Sequence, residues 1–131
     1  MQLNIPLDTL AWIMVKAREF DVKEGDSYDG EQHDDDGDVL QDRGDDPTEY
    51  ELTSWIDDLT DTQAAELVAI VWIGRGDSGP EDFPALVDQA RSARGRQKTS
   101  KYLLGEPMLA DYLAEGLEAL GFDPAEVESR V

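Results

Sequence analysis

Two groups of residues have the types and spacing to grip a charged ligand. Arg75 and Asp77 flank Gly76 just after the apolar run Leu67-Val68-Ala69-Ile70-Val71-Trp72-Ile73, with Gly74 between run and arginine. Glycines allow close approach of backbone to another helix or to a ligand. An arginine held between them offers a planar fork that clamps a carboxylate or phosphate through two hydrogen bonds. The plainer reading is that Arg75 complements a helix C-terminus and pairs with Asp77. The second group is Arg91, Arg94, Arg96, Lys98 and Lys101, five bases with no acid among them, followed by Tyr102. With Thr99 and Ser100 as extra donors, such a run can meet phosphate. Its plainer reading is solvation, or neutralisation by acidic residues of the same chain.

Other chemistries find little support. The chain has no cysteine, which removes disulfides, thiolate metal sites and cysteine nucleophiles. Its one histidine, His33, lies in a stretch rich in aspartate and glycine, where nothing rigid would position it for catalysis or metal binding. That stretch was tested against the calcium-loop pattern. With Gly37 at the glycine position, Gln32 falls first, Asp34 third, Asp36 fifth and Arg43 last, so the first and last ligands are wrong. No cofactor and no metal is expected. Carboxylates are too numerous for their spacing to single out a catalytic pair.

The formal charge of −20 over 131 residues argues against nucleic acid and against anionic membranes, and it suits a basic partner or cations. The charge is polarised. From Asp21 to Glu51 there are fourteen acids against Lys23 and Arg43, a net of −12, whereas the segment 91–101 carries +5. No positively charged segment leads into an apolar one at the N-terminus, so a cytoplasmic protein is expected. The apolar run at 67–73 is far short of the about 20 residues that span a bilayer.

Helices must position these groups. After Pro6, apolar residues at Leu7, Leu10, Ala11, Met14 and Ala17 recur with helical spacing, widened by Ile13 and Phe20, predicting a helix over 7–20. From 23 to 46 there is almost nothing to bury, and a flexible acidic loop is expected. Pro47 opens a second helix to about Leu59, with Tyr50, Leu52, Trp55 and Ile56 apolar. Thr60-Asp61-Thr62-Gln63 fits a capping box for a central helix over 61–75, apolar around most of its circumference. Gly76 suits a left-handed cap. Further helices are predicted from Pro80 to Ala93, over a short turn at 102–104 that Thr99 or Ser100 could cap, from Pro107 to Leu120 with Met108 inside, and as a last turn after Asp123-Pro124. Trp12, Trp55 and Trp72 all fall at positions that predict core. The fold class expected is all-α: one domain over 1–131, a bundle of about five helices around the buried helix 61–75, with a long acidic loop.

The strings Leu67 to Asp77 and Tyr102-Leu103-Leu104-Gly105-Glu106-Pro107-Met108-Leu109-Ala110-Asp111-Tyr112-Leu113-Ala114-Glu115-Gly116-Leu117 resemble a small bacterial family, the domain of unknown function 3775. The resemblance covers roughly Ser54 to Gly121 and implies a bacterial source. It brings no activity, cofactor or catalytic residue. Three functional expectations stand beside it. The first is a non-enzymatic helical interaction or regulatory module with a protein partner, a second copy of itself included, docked through an apolar helix face. The second is a binder of an anionic ligand or nucleic acid through 91–101, gated by the acidic loop. The third, and the least supported, is a carboxylate-based enzyme.

Overall fold

The computed structural model of the chain describes residues 3–29, 47–93 and 98–131. Among these it has seven α-helices: α1 (Leu7–Asp29), α2 (Pro47–Asp57), α3 (Asp61–Gly74), α4 (Phe83–Ala93), α5 (Thr99–Leu104), α6 (Leu109–Ala119) and α7 (Pro124–Glu128). A 3-10 turn over Pro80–Asp82 leads into α4. Five of the seven helices are eleven residues or longer, so the all-α bundle read from the sequence is the fold.

The bundle is built around α3. Nine of its fourteen residues are buried, on every side of the helix, because its run of aliphatic side chains leaves no polar face. It packs chiefly on α6 and α4, while α1 lies across α6, α2 and α7. Its start is the predicted capping box: Thr60 Oγ1 accepts from the Gln63 amide, and the Gln63 side chain accepts from the Thr60 amide. Its end is a left-handed glycine, Gly76, at φ 90°.

Glu66 interrupts the apolar surface of α3 and is itself buried. Its carboxylate accepts from the Asn4 amide at 2.9 Å, from Asn4 Nδ2 at 3.0 Å and from the Ile5 amide at 2.9 Å. A buried charge persists when it is saturated with donors, and this one fastens the segment before α1 to the central helix.

Several boundaries differ from expectation. Helix α1 runs to Asp29 rather than ending at Phe20, so the acidic stretch begins within a helix. No proline lies between 20 and 29, and one glycine costs a helix only about 1 kcal/mol, too little to stop it. The remainder of the expected loop, 30–46, with His33 and the Gly37 template, lies outside the described residues. Helix α6 starts at Leu109, and Pro107 precedes it in a turn. Thr99 and Ser100 do not cap α5; Lys98 stands at that position, and both hydroxyl residues are buried inside the helix. Two residues expected inside are exposed, Tyr50 at 73% and Met108 at 52%.

Candidate functional site

The corner after α3 brings the two sequence strings together. Arg75 lies in helical geometry at the end of α3, its amide bonded to Val71 O at 2.9 Å. Its guanidinium donates to Asp77 through Nε at 3.1 Å and Nη2 at 2.5 Å, and through Nη1 to Glu106 at 2.9 Å. Tyr102 Oη accepts from Trp72 Nε1 at 2.9 Å and, at 3.5 Å, from Arg75 Nη1. The two carboxylates push the arginine pKa upward, the hydrogen bond to Asp77 most of all. The Asp77 partner follows from a spacing of two residues. Glu106 sits 31 residues away, and only the packing of α5 and α6 on α3 delivers it. With its fork turned onto two carboxylates of its own chain, Arg75 acts as a tie between the α3 corner and the turn before α6.

The basic run is divided. Arg91 is exposed on α4, in a shallow pocket with Asp61, Asp88 and Ser92. Lys98 and Lys101 line a separate depression with Glu49, Asp57 and Leu104. Lys98 Nζ is 3.9 Å from Asp57, and Ser100 Oγ donates to Asp57 at 2.7 Å. Arg94 and Arg96 lie outside the described residues. Tyr102 faces the Arg75 corner instead of the lysines, and Ser100 is turned inward. Among the described residues no group of three or more acids or histidines is placed to hold a metal ion.

A larger concavity, of about 710 Å³, opens between the second half of α1 and the α5–α6 junction. Phe20, Val22, Leu104, Pro107 and Met108 give it apolar walls, and Arg18, Asp21, Glu106 and Asp111 contribute polar groups. Sequence reasoning missed it because its walls come from segments about 85 residues apart. Asp21 is the organising residue. Its carboxylate accepts from the Ala110 amide at 3.1 Å, so α1 supplies the N-terminal cap of α6. Burial pushes the Asp21 pKa up, and the α6 amides oppose that only in part. Beside it Met108 adopts φ 64° and ψ 32°, a left-handed geometry uncommon for a residue with a side chain. That turn projects Met108 outward. Arg18 is held at the rim by Glu128, at 2.6 Å, and by Asp111 at 3.7 Å.

A third feature corrects the expectation for the tryptophans. Trp12 and Trp55 sit at the surface, each 37% exposed, with ring centres 5.6 Å apart and planes inclined by 34°. They meet where α1 crosses α2. Lys16 Nζ lies 5.1 Å from the centre of the Trp12 ring and 2.7 Å from Glu51. Trp72 is partly buried and packed on the core.

No helix among the described residues is long and apolar enough to cross a membrane. No curated protein and no solved structure matches the chain. A family model described as "Protein of unknown function" does match, over residues 49–122, which takes in α2 to α6 and both sequence strings. On that match, over more than half of its length, the chain belongs to the DUF3775 family.

Proposed function

We propose that this chain is a non-enzymatic interaction module whose groove between α1 and the α5–α6 junction receives an apolar segment of a protein partner. The observation that supports it is the pairing of a 710 Å³ concavity with exposed apolar walls: Met108 is 52% and Val22 62% exposed. Burying the exposed part of each side chain against a partner would contribute about 1 kcal/mol apiece. Methionine also adapts its shape to varied apolar surfaces. The polar rim of Arg18, Asp111 and Glu106 suits the usual anatomy of an interface, apolar at the centre and wet at the edge.

The test uses a neutral solvatochromic dye and sedimentation velocity. The wild-type chain should bind the dye with a blue-shifted emission, and Val22→Ser with Met108→Ser should abolish that binding while leaving the helical circular dichroism intact. Sedimentation over a concentration series identifies whether the segment belongs to a second copy: association lost in the double variant answers yes. Dye binding unchanged in the double variant would remove the groove as the binding surface.

A further inference from the structure

The Trp12–Trp55 pair, none of whose residues line the groove, carries a separate inference. Tryptophan is large, and these two indoles, each 37% exposed with ring centres 5.6 Å apart, form one partly open aromatic surface. The faces of indole rings attract cations, and this surface already shows that use. Lys16, one turn after Trp12, lays its ammonium over the Trp12 ring at 5.1 Å while bonding Glu51 at 2.7 Å and approaching Glu19 at 3.6 Å. Asp8, one turn before Trp12, is 78% exposed and paired with Arg130 at 3.4 Å. Glu19 and Glu51 are each about half exposed. An aromatic pair whose bound ammonium is shared with the carboxylates of Glu19 and Glu51, on a chain of net charge −20, is complementary to a cation with a flat, weakly hydrated head.

We propose that the Trp12–Trp55 surface is a docking site for an arginine-rich segment of a basic protein, whose guanidinium takes the place of Lys16 over Trp12 and against Glu51. Lys16 is then an internal occupant that keeps the site filled when the partner is absent. A guanidinium is favoured over an ammonium because it stacks flat on indole while bonding a carboxylate through two N–H groups. Nucleic acid is the opposite case, since its phosphates would meet Glu19 and Glu51.

The experiment titrates the full chain with a peptide of alternating arginine and glycine at physiological salt. Tryptophan fluorescence and calorimetry provide the readouts, and a peptide with glutamine in place of arginine serves as the blank. The expected result is a saturable quench with the arginine peptide only. Trp12→Leu and Trp55→Leu should each weaken binding by about tenfold, the upper range for a cation–aromatic contact. Lys16→Met should tighten it, because the competitor is gone, and Glu51→Gln should weaken it. Met108→Ser, in the groove, should leave it unchanged, which separates this site from the one proposed above. Glu51→Gln alters a half-exposed side chain and is isosteric, so it decides the matter even if a tryptophan variant fails to fold. Equal affinity in all these variants would mean that the peptide senses only the net charge, and would overturn the proposal.

Discussion

Asp21 shows how one side chain can serve two opposed demands. Its carboxylate caps α6 across the groove, which favours the charged form, yet burial disfavours that form more strongly and its pKa rises above the usual 3.8. A folded-state pKa above the unfolded one means that the native chain holds the proton more tightly. The associated stability is therefore fully present below the unfolded pKa and is lost as pH rises through the folded value. Asp21→Asn keeps an acceptor for the Ala110 amide and removes the titration. Unfolding by urea at a series of pH values from about 4 to 7 should show the variant gaining on the wild type as pH rises. A constant difference across that range would mean that burial does not govern this group. Arg75 stands in contrast. Two carboxylates surround it, so its charge is secured at any pH where proteins fold.

At the scale of elements, the contact of α3 with α6 rests on two reciprocal glycines. A Cβ on Gly74 would stand 1.9 Å from Tyr112 O, and one on Gly116 would stand 2.1 Å from Ile70 O. Both neighbours are helix backbone, which cannot swing aside as a side chain would. The helices therefore pack backbone to backbone along the line from Ile70 to Gly116, and this closeness lets α5 and the turn after it place Tyr102 and Glu106 at the Arg75 corner. In an unconstrained helix, glycine to alanine stabilises by about 1 kcal/mol. Here the clash reverses that sign. Gly116→Ala is expected to destabilise by about 2–3 kcal/mol, the scale of an overpacked core, and Gly74→Ala by a similar amount. Chemical denaturation measures both, and a stabilised variant would show that the helices part without cost. Gly76, by contrast, has nothing within 4 Å of such a Cβ, and its requirement is conformational, a positive φ.

For the whole molecule, charge and core oppose one another. The formal charge of −20 produces self-repulsion that the fold must overcome, and the ion pairs Lys16–Glu51, Arg18–Glu128 and Arg75–Glu106 offset only a little of it. Such pairs at the surface contribute about 0–1 kcal/mol each. Salt screens both, but repulsion among twenty uncompensated charges is the larger quantity. The melting temperature should therefore climb as sodium chloride is raised toward about 1 M, by roughly 3–5 °C for each kcal/mol of repulsion removed. A melting temperature that falls with salt would put the ion pairs, and not the repulsion, in control of stability. The same field bears on partners. It strengthens any basic segment at Trp12 and Trp55 and works against phosphate at Lys98 and Lys101, one of which already faces Asp57.

Sequence alone determined the class of fold and most of its punctuation, because these are set by local chemistry. Apolar spacing of three and four residues marked α1, the Thr60–Gln63 pair marked the start of α3, and Gly76 marked a left-handed end at φ 90°. The apolar run at 67–73 read as a central helix because a capping box precedes it and glycines end it. Tertiary structure decided what crosses between elements. Whether Trp12 and Trp55 are core or surface depends on how α1 crosses α2, and helical spacing reads the same in both cases. Glu106 became a partner of Arg75, Glu66 an anchor for Asn4, and Asp21 the cap of α6 only through packing over 31, 62 and 89 residues of chain. The groove exists for the same reason: its walls are ordinary apolar positions on α1 and before α6, and only their juxtaposition makes them a surface that something can enter.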